Sequence, residues 1–302
     1  MRDLQARGAP GDGIARVNVG YTRMALGEWR AAVADLRAAM ELDPRSYFVA
    51  MLVADRMIAL RRFDEAERAC HRAQELSPGD LRAPTTCAMI PFWRSGDVGP
   101  ARAALDTMVQ QWGASNIAVS NTVDLLYLLP ERTLALAEAG RLPDPVSDHD
   151  PFIPRALITG AAHCALGQGE KARADYASVV EALEANVAAL RRQKDEGALA
   201  VQMLWLGRAY AGLGRGEEAM RTAREALGHI TDAALRATAL SDLAETAVAA
   251  GRKDEAVRVL AEALDAPAGT VTAASLRAHP AFAPLRGYAP FEALVSARLA
   301  GK

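Results

Sequence analysis

What most constrains this 302-residue chain is a repeat of 34 residues. Gly27-Glu28-Trp29-Arg30-Ala31-Ala32, continuing to Ala39, Leu42 and Pro44, returns as Arg61-Arg62-Phe63-Asp64-Glu65-Ala66, continuing to Ala73, Leu76 and Pro78. A third copy slips by one position, with Gly96 and Ala101 in the places of Gly27 and Ala32. The signature recurs at Leu166-Gly167 to Ala172, Leu213-Gly214 to Ala219 and Ala250-Gly251 to Ala256. A fixed period of this length marks a solenoid of supersecondary units. In each unit a Gly ends one helix in a left-handed cap. Acidic residues then open a second helix, where its dipole favours negative charge. A small Ala follows, letting the two helices pack closely. One pair buries only one face, so the units must stack.

The spacing predicts helix pairs over 13–43, 46–77, 80–111, 115–140, 152–193, 197–229 and 232–265. The fourth is the least regular: Pro130 breaks it, and Pro143 to Pro151 reads as a loop. The wide step from Gly167 to Gly214 predicts one long helix from Glu170 to about Arg192. Abundant alanine favours helix, and sparse Val, Ile, Thr and Tyr argue against sheet.

In its period, and in Gly20, Gly27, Ala32, Leu36, Ala39 and Pro44, the chain resembles the tetratricopeptide repeat (TPR) family. The second unit departs from the pattern, with Ala54 and Arg61 at the two glycine places. The resemblance implies an all-α, right-handed superhelical solenoid of about seven helix pairs. It also implies that a protein or peptide partner lies in the concave groove lined by the first helix of each pair. By register, the groove positions are Val17, Tyr21 and Met24, then Met51, Asp55 and Ile58, then Thr86, Ile90 and Trp93, then Leu204 and Arg208, then Ser241 and Glu245. The N-terminal half of that set is apolar and Met-rich, which suits adaptable recognition, and Trp is frequent at binding hot spots. The C-terminal half is polar. Chaperone-binding members hold a peptide carboxylate with a Lys–Asn clamp; Val17 and Tyr21 stand at those places, which argues against that subtype.

After Leu264 the pattern changes. We divide the chain into a flexible segment 1–12, the solenoid 13–265 and a Pro-rich capping segment 266–302. Pro280, Pro284 and Pro290 prevent an eighth pair, and Phe282, Leu285, Phe291 and Leu294 are expected to cover the apolar end, a general need of repeat arrays. Leu276-Arg277, Pro280 to Arg286 and Pro290-Phe291 to Leu294 resemble the close of repeat regions at the C-terminal ends of bacterial signalling proteins. Those proteins carry a serine/threonine kinase, a nucleotide cyclase or a winged-helix domain in front. Arg predominates over Lys, as in GC-rich bacterial coding sequences. The expected function is a protein-interaction scaffold in bacterial signalling or assembly. The alternative is a regulatory module of a larger signalling enzyme or transcriptional regulator encoded upstream.

Lys+Arg is 35 and Asp+Glu 37, a net charge of −2, without the basic balance of a nucleic-acid binder. Residues 1–13 have no apolar core of a signal peptide, and no run of 18 apolar residues suggests a membrane span. Three widely spaced cysteines, Cys70, Cys87 and Cys164, argue against a disulfide framework and for a reducing, cytoplasmic setting. No phosphate-loop, His-Glu-x-x-His or Gly-x-Ser-x-Gly motif occurs. Gly212 to Gly216 reads as a repeat hinge. Neither Cys70-His71 nor His163-Cys164 chelates alone, because neighbours on a helix point about 100° apart. His149 falls in an acidic loop, His229 near a helix C-terminus, and His279 in the tail, where it packs or caps. Glu181, Glu184, Asp195 and Glu196 read as charged helix faces. The expectation is no enzyme, metal, cofactor, nucleic acid, membrane or small-molecule substrate.

Overall fold

The computed structural model describes residues 12–112, 122–146 and 153–300. These fold into consecutive helix pairs, with no strand among the described residues. α1 (Asp12–Ala25) pairs with α2 (Trp29–Leu42), α3 (Tyr47–Ala59) with α4 (Phe63–Leu76), and α5 (Arg82–Ser95) with α6 (Gly99–Trp112). α7 (Thr122–Leu128) and α8 (Pro130–Glu138) form the short fourth pair. α9 (Arg155–Ala165) then pairs with α10 (Gly169–Gln193), α11 (Glu196–Gly212) with α12 (Gly216–His229), and α13 (Ala233–Ala249) with α14 (Lys253–Asp265). The expected all-α stack of seven pairs is what forms. The long helix is α10, at 25 residues. Pro130 separates α7 from α8 by taking the first position of α8, where its missing N–H is no loss.

The hinges show why the period works. The N–H of Gly27 donates to the Met24 carbonyl and that of Glu28 to the Arg23 carbonyl. Gly167, Gly214 and Gly251 and the residues after them repeat this pair of bonds, the doubled closure that a left-handed residue permits at a helix end. Arg61 adopts the same conformation, at φ 53°, without being glycine. The alanines that follow the hinges, Ala32, Ala66, Ala101, Ala219 and Ala256, are fully buried where the paired helices cross.

The cysteine expectation is corrected here. Cys70 on α4 and Cys87 on α5 are joined by a disulfide, with Cα atoms 5.7 Å apart. Their spacing of 17 residues carries no disulfide signature, but stacking sets the second helix of one pair against the first of the next. Cys164 is a free, exposed thiol.

The stack also closes on itself. α1 packs against α13, and the Tyr21 hydroxyl donates to Asp232 at 3.2 Å. The tail forms α15 (Ala273–Ala278), a 3-10 segment (Pro280–Leu285) and α16 (Ala289–Ala300). At the solenoid's end, α16 packs on α14, and the Tyr288 hydroxyl before it bonds Asp254 of α14. α15 lies against α5, and the 3-10 segment against α9 and α13. The tail therefore crosses the concave side instead of only capping an end. Gly269 N–H donates to the Ala59 carbonyl at 2.7 Å, and the Thr272 hydroxyl to the Trp93 carbonyl at 2.7 Å. Gly96 serves this crossing as well as its hinge: a Cβ there would stand 2.8 Å from the Ala274 carbonyl oxygen. Phe282, Leu285, Phe291 and Val295 are buried, while Leu294 is half-buried.

A candidate binding cavity on the concave face

The first helices of the pairs face inward, and the tail roofs part of that face. A cavity of about 220 Å³ remains between them. Four helices present one face each to it, as their three- and four-residue spacings dictate. Met89, Phe92 and Trp93 come from α5; Asp124, Tyr127 and Leu128 from α7; Trp205 and Arg208 from α11; Thr238, Ser241, Asp242 and Glu245 from α13. Thr270, Val271, His279 and Phe282 close it from the tail.

Its charges are unbalanced. Arg208 is buried and donates to Asp242 at 3.2 Å and to Glu245. The same guanidinium lies 5.0 Å from the Tyr127 ring centre. Burial works against its charge, but Glu245, Tyr127 and Asp242 outweigh this and raise its pKa. Asp124 lines the cavity and is an exposed residue, and no hydrogen bond or ion pair joins it to another described residue. Burial, followed by repulsion from Asp242, Glu245 and Asp55, pushes Asp124 up to about 6. Burial pushes Asp55 up to about 6 as well, against the pull of Arg56 and Arg82. His279 is held neutral: burial first, then Arg208 and Arg286, lower it to about 4. Its Nδ1 accepts from the Ala281 N–H at 3.2 Å, and its ring packs on Phe92 and Phe282, so it both packs and caps.

Of the thirteen groove positions taken from register, Trp93, Arg208, Ser241 and Glu245 meet at this cavity. Val17, Met24, Met51, Ile58, Thr86, Ile90 and Leu204 are buried within the stack. Tyr21 is 42% exposed at the closure, with the Arg56 guanidinium 4.6 Å from its ring centre. Asp55 is half-buried. Asp124, Asp242, Tyr127 and Trp205 were not singled out from the sequence. A lone charge in the apolar run Val123-Asp124-Leu125-Leu126-Tyr127 was the available signal for the first.

The other polar residues weighed from the sequence have structural partners. Glu184 accepts from the Tyr210 hydroxyl at 2.7 Å, Asp195 caps α11 at the Ala198 N–H, and Glu196 pairs with His229. Glu181 is exposed. His71 bonds Gln74, and His163 bonds Asp175 at 2.8 Å. His149 lies outside the described residues, as do residues 1–11 of the N-terminal segment. Among the described residues no cluster of His, Cys, Asp and Glu could hold a metal ion, and no helix is long and apolar enough to cross a membrane.

No family model matches the chain, and no curated protein matches it in sequence. Among solved structures it is similar to PilW, a widely conserved type IV pilus biogenesis factor, at 16% identity and TM-score 0.36, covering 84% of this chain and 93% of that one. It is also similar to the P58(IPK) TPR domain, at 13% identity and TM-score 0.26, covering 94% of this chain and 97% of that one. At such scores neither likeness says what this chain binds.

Proposed function

We propose that the chain is a non-enzymatic protein-interaction scaffold that takes a peptide or protein segment on its concave face. The observation that supports this most is the cavity itself. Aromatic side chains, and a carboxylate with no partner among the described residues, are left around open space on the concave face. Aromatic anchors in a pocket are the usual hot spots of recognition. Trp93, Arg208, Ser241 and Glu245 are the contact residues of this reading, with Tyr21 and Asp55 at its edge. The buried members of the register set belong to the packing of the stack. Screening the purified chain against a displayed random-peptide library tests the reading. Enriched binders lost on Trp205→Ala support it, and no enrichment at any peptide length would sink it.

The setting is part of the proposal. The likeness of the tail to bacterial signalling proteins supports a signalling or assembly role, and equally the alternative of a regulatory module joined to a kinase, cyclase or transcriptional regulator. The upstream coding sequence separates the two. The sequence expectation is cytoplasmic, whereas the Cys70–Cys87 disulfide favours an oxidising compartment. Thiol titration of protein taken from its native cells decides between them.

A further inference from the structure

The cavity's chemistry selects a class of guest. Asp124, Asp242 and Glu245 face it against one guanidinium, that of Arg208, which is already engaged by the last two. Asp124 and Thr238 are exposed, so solvent reaches the space between them. Trp93, Trp205 and Tyr127 stand in the walls, and aromatic rings attract cations through their quadrupoles. An anion would meet the three carboxylates, and a neutral apolar group would leave Asp124 desolvated without a partner. The volume, about 220 Å³, suits one side chain and excludes a folded element.

We propose that this cavity is a subsite for a single guanidinium or ammonium group, bound by Asp124 and the aromatic walls and carried on an arginine or lysine of the partner segment. The proposal rests on the scaffold reading for the source of the cation, but not for the chemistry of the site. Asp124 supplies the charge-assisted hydrogen bond. Trp93 and Trp205 cover the planar or apolar part of the guest, and Arg208 holds Asp242 and Glu245 in place.

The test is calorimetry on the full chain with three probes: N-acetyl-arginine amide, its neutral isostere N-acetyl-citrulline amide, and agmatine. The arginine probe should bind saturably and the citrulline probe should not. Asp124→Asn should weaken the arginine probe about tenfold or more, the usual weight of a hydrogen bond to a charged group. Asn preserves the shape of Asp, and the melting temperature of the variant verifies its fold. Equal binding of the two amides, or unchanged affinity in Asp124→Asn, overturns the proposal. The source is read separately. Library peptides enriched in Arg or Lys support the partner-borne cation. Peptides enriched without any basic residue leave the scaffold reading standing and overturn the subsite. Agmatine and arginine-probe binding with no peptide enrichment supports the cation chemistry and overturns the partner as its source.

Discussion

The side chain of Arg61 reaches the carbonyl oxygen of Gly269, 208 positions later in the chain, with its Nε donating at 3.1 Å. The same guanidinium donates to the carbonyls of Ala263, Leu264 and Ala266. These lie in the last turn of α14 and just beyond it, where free carbonyls and the helix dipole favour a cation. A hinge position that is glycine in most units is an arginine here because its side chain ties the second unit to the seventh.

Arg61→Gly separates backbone from side chain. Glycine relieves the left-handed conformation, a gain of roughly 1–2 kcal/mol. It loses several charge-assisted bonds, each of about 1.5–3 kcal/mol. Bonds made by one guanidinium do not add independently, so we expect a net loss of about 2–4 kcal/mol in urea unfolding, although glycine fits the repeat pattern better. A stability gain would show that the bridge to α14 contributes nothing.

The disulfide gives a thiol count. Denatured, unreduced protein should show one reactive thiol, Cys164, and reduced protein three. Closing a loop of this size contributes about 3 kcal/mol. Cys87→Ala should therefore lower the melting temperature without reductant and change it little with reductant present. Three thiols in protein purified without reductant would sink this.

Carboxylates in and near the cavity should make the protein more stable on mild acidification. Asp55 and Asp124 have folded pKa values near 6, above their usual 3.8. The folded state therefore takes up their protons first, and stability rises as pH falls from about 7 towards 4. His279 opposes this: its folded value near 4 lies below 6.5, so its contribution is lost over the same range. Below about 4.5 the paired Glu65, held down to about 2 chiefly by Arg37, starts to lose its contribution. Asp124→Asn isolates one group, among Asp55, Asp242, Glu245, Arg208 and His279 around it. The variant should melt higher than the parent at pH 7 and gain less between pH 7 and 5. Parallel melting curves across that range would contradict the assignment.

Damage to the tail should be felt far from it. Phe282 is 1% exposed, between the 3-10 segment and the inward helices. Phe282→Ala should cost about 3–5 kcal/mol, as large core truncations do. Removal of residues 270–302 should raise hydrogen exchange in α5 as well as α14, because α15 lies on α5. Faster exchange confined to α13 and α14 would restore the simpler role of an end cap.

The period, the pair boundaries and the long α10 were legible because each rests on local chemistry: a glycine hinge, an acidic opening turn, an alanine crossing. The cavity was half legible. Register reached Trp93, Arg208, Ser241 and Glu245, since they occupy repeated inward places. It missed Asp124, which sits in the irregular fourth unit where the register fails. It also missed Asp242, which lies 34 residues after Arg208 and meets it only through stacking of adjacent pairs. The path of the tail was hidden for a different reason. Nothing local to Ala273 or Phe282 distinguishes packing on the last pair from packing on the third. The departure of Arg61 from the glycine pattern was visible in the sequence, and its meaning depends on a contact two hundred residues away.

Closure also bears on how such a chain can change in length. An open repeat array accepts a duplicated or deleted unit, because each unit touches only its neighbours. Here Tyr21 meets Asp232 and Arg61 meets the end of α14. One extra pair would carry α13 and α14 past both partners, and one fewer would leave them short. The number of units is thus fixed by the circumference, as the number of staves is fixed in a barrel. Variation is confined to places off the circle: hinge tips and outer helix faces.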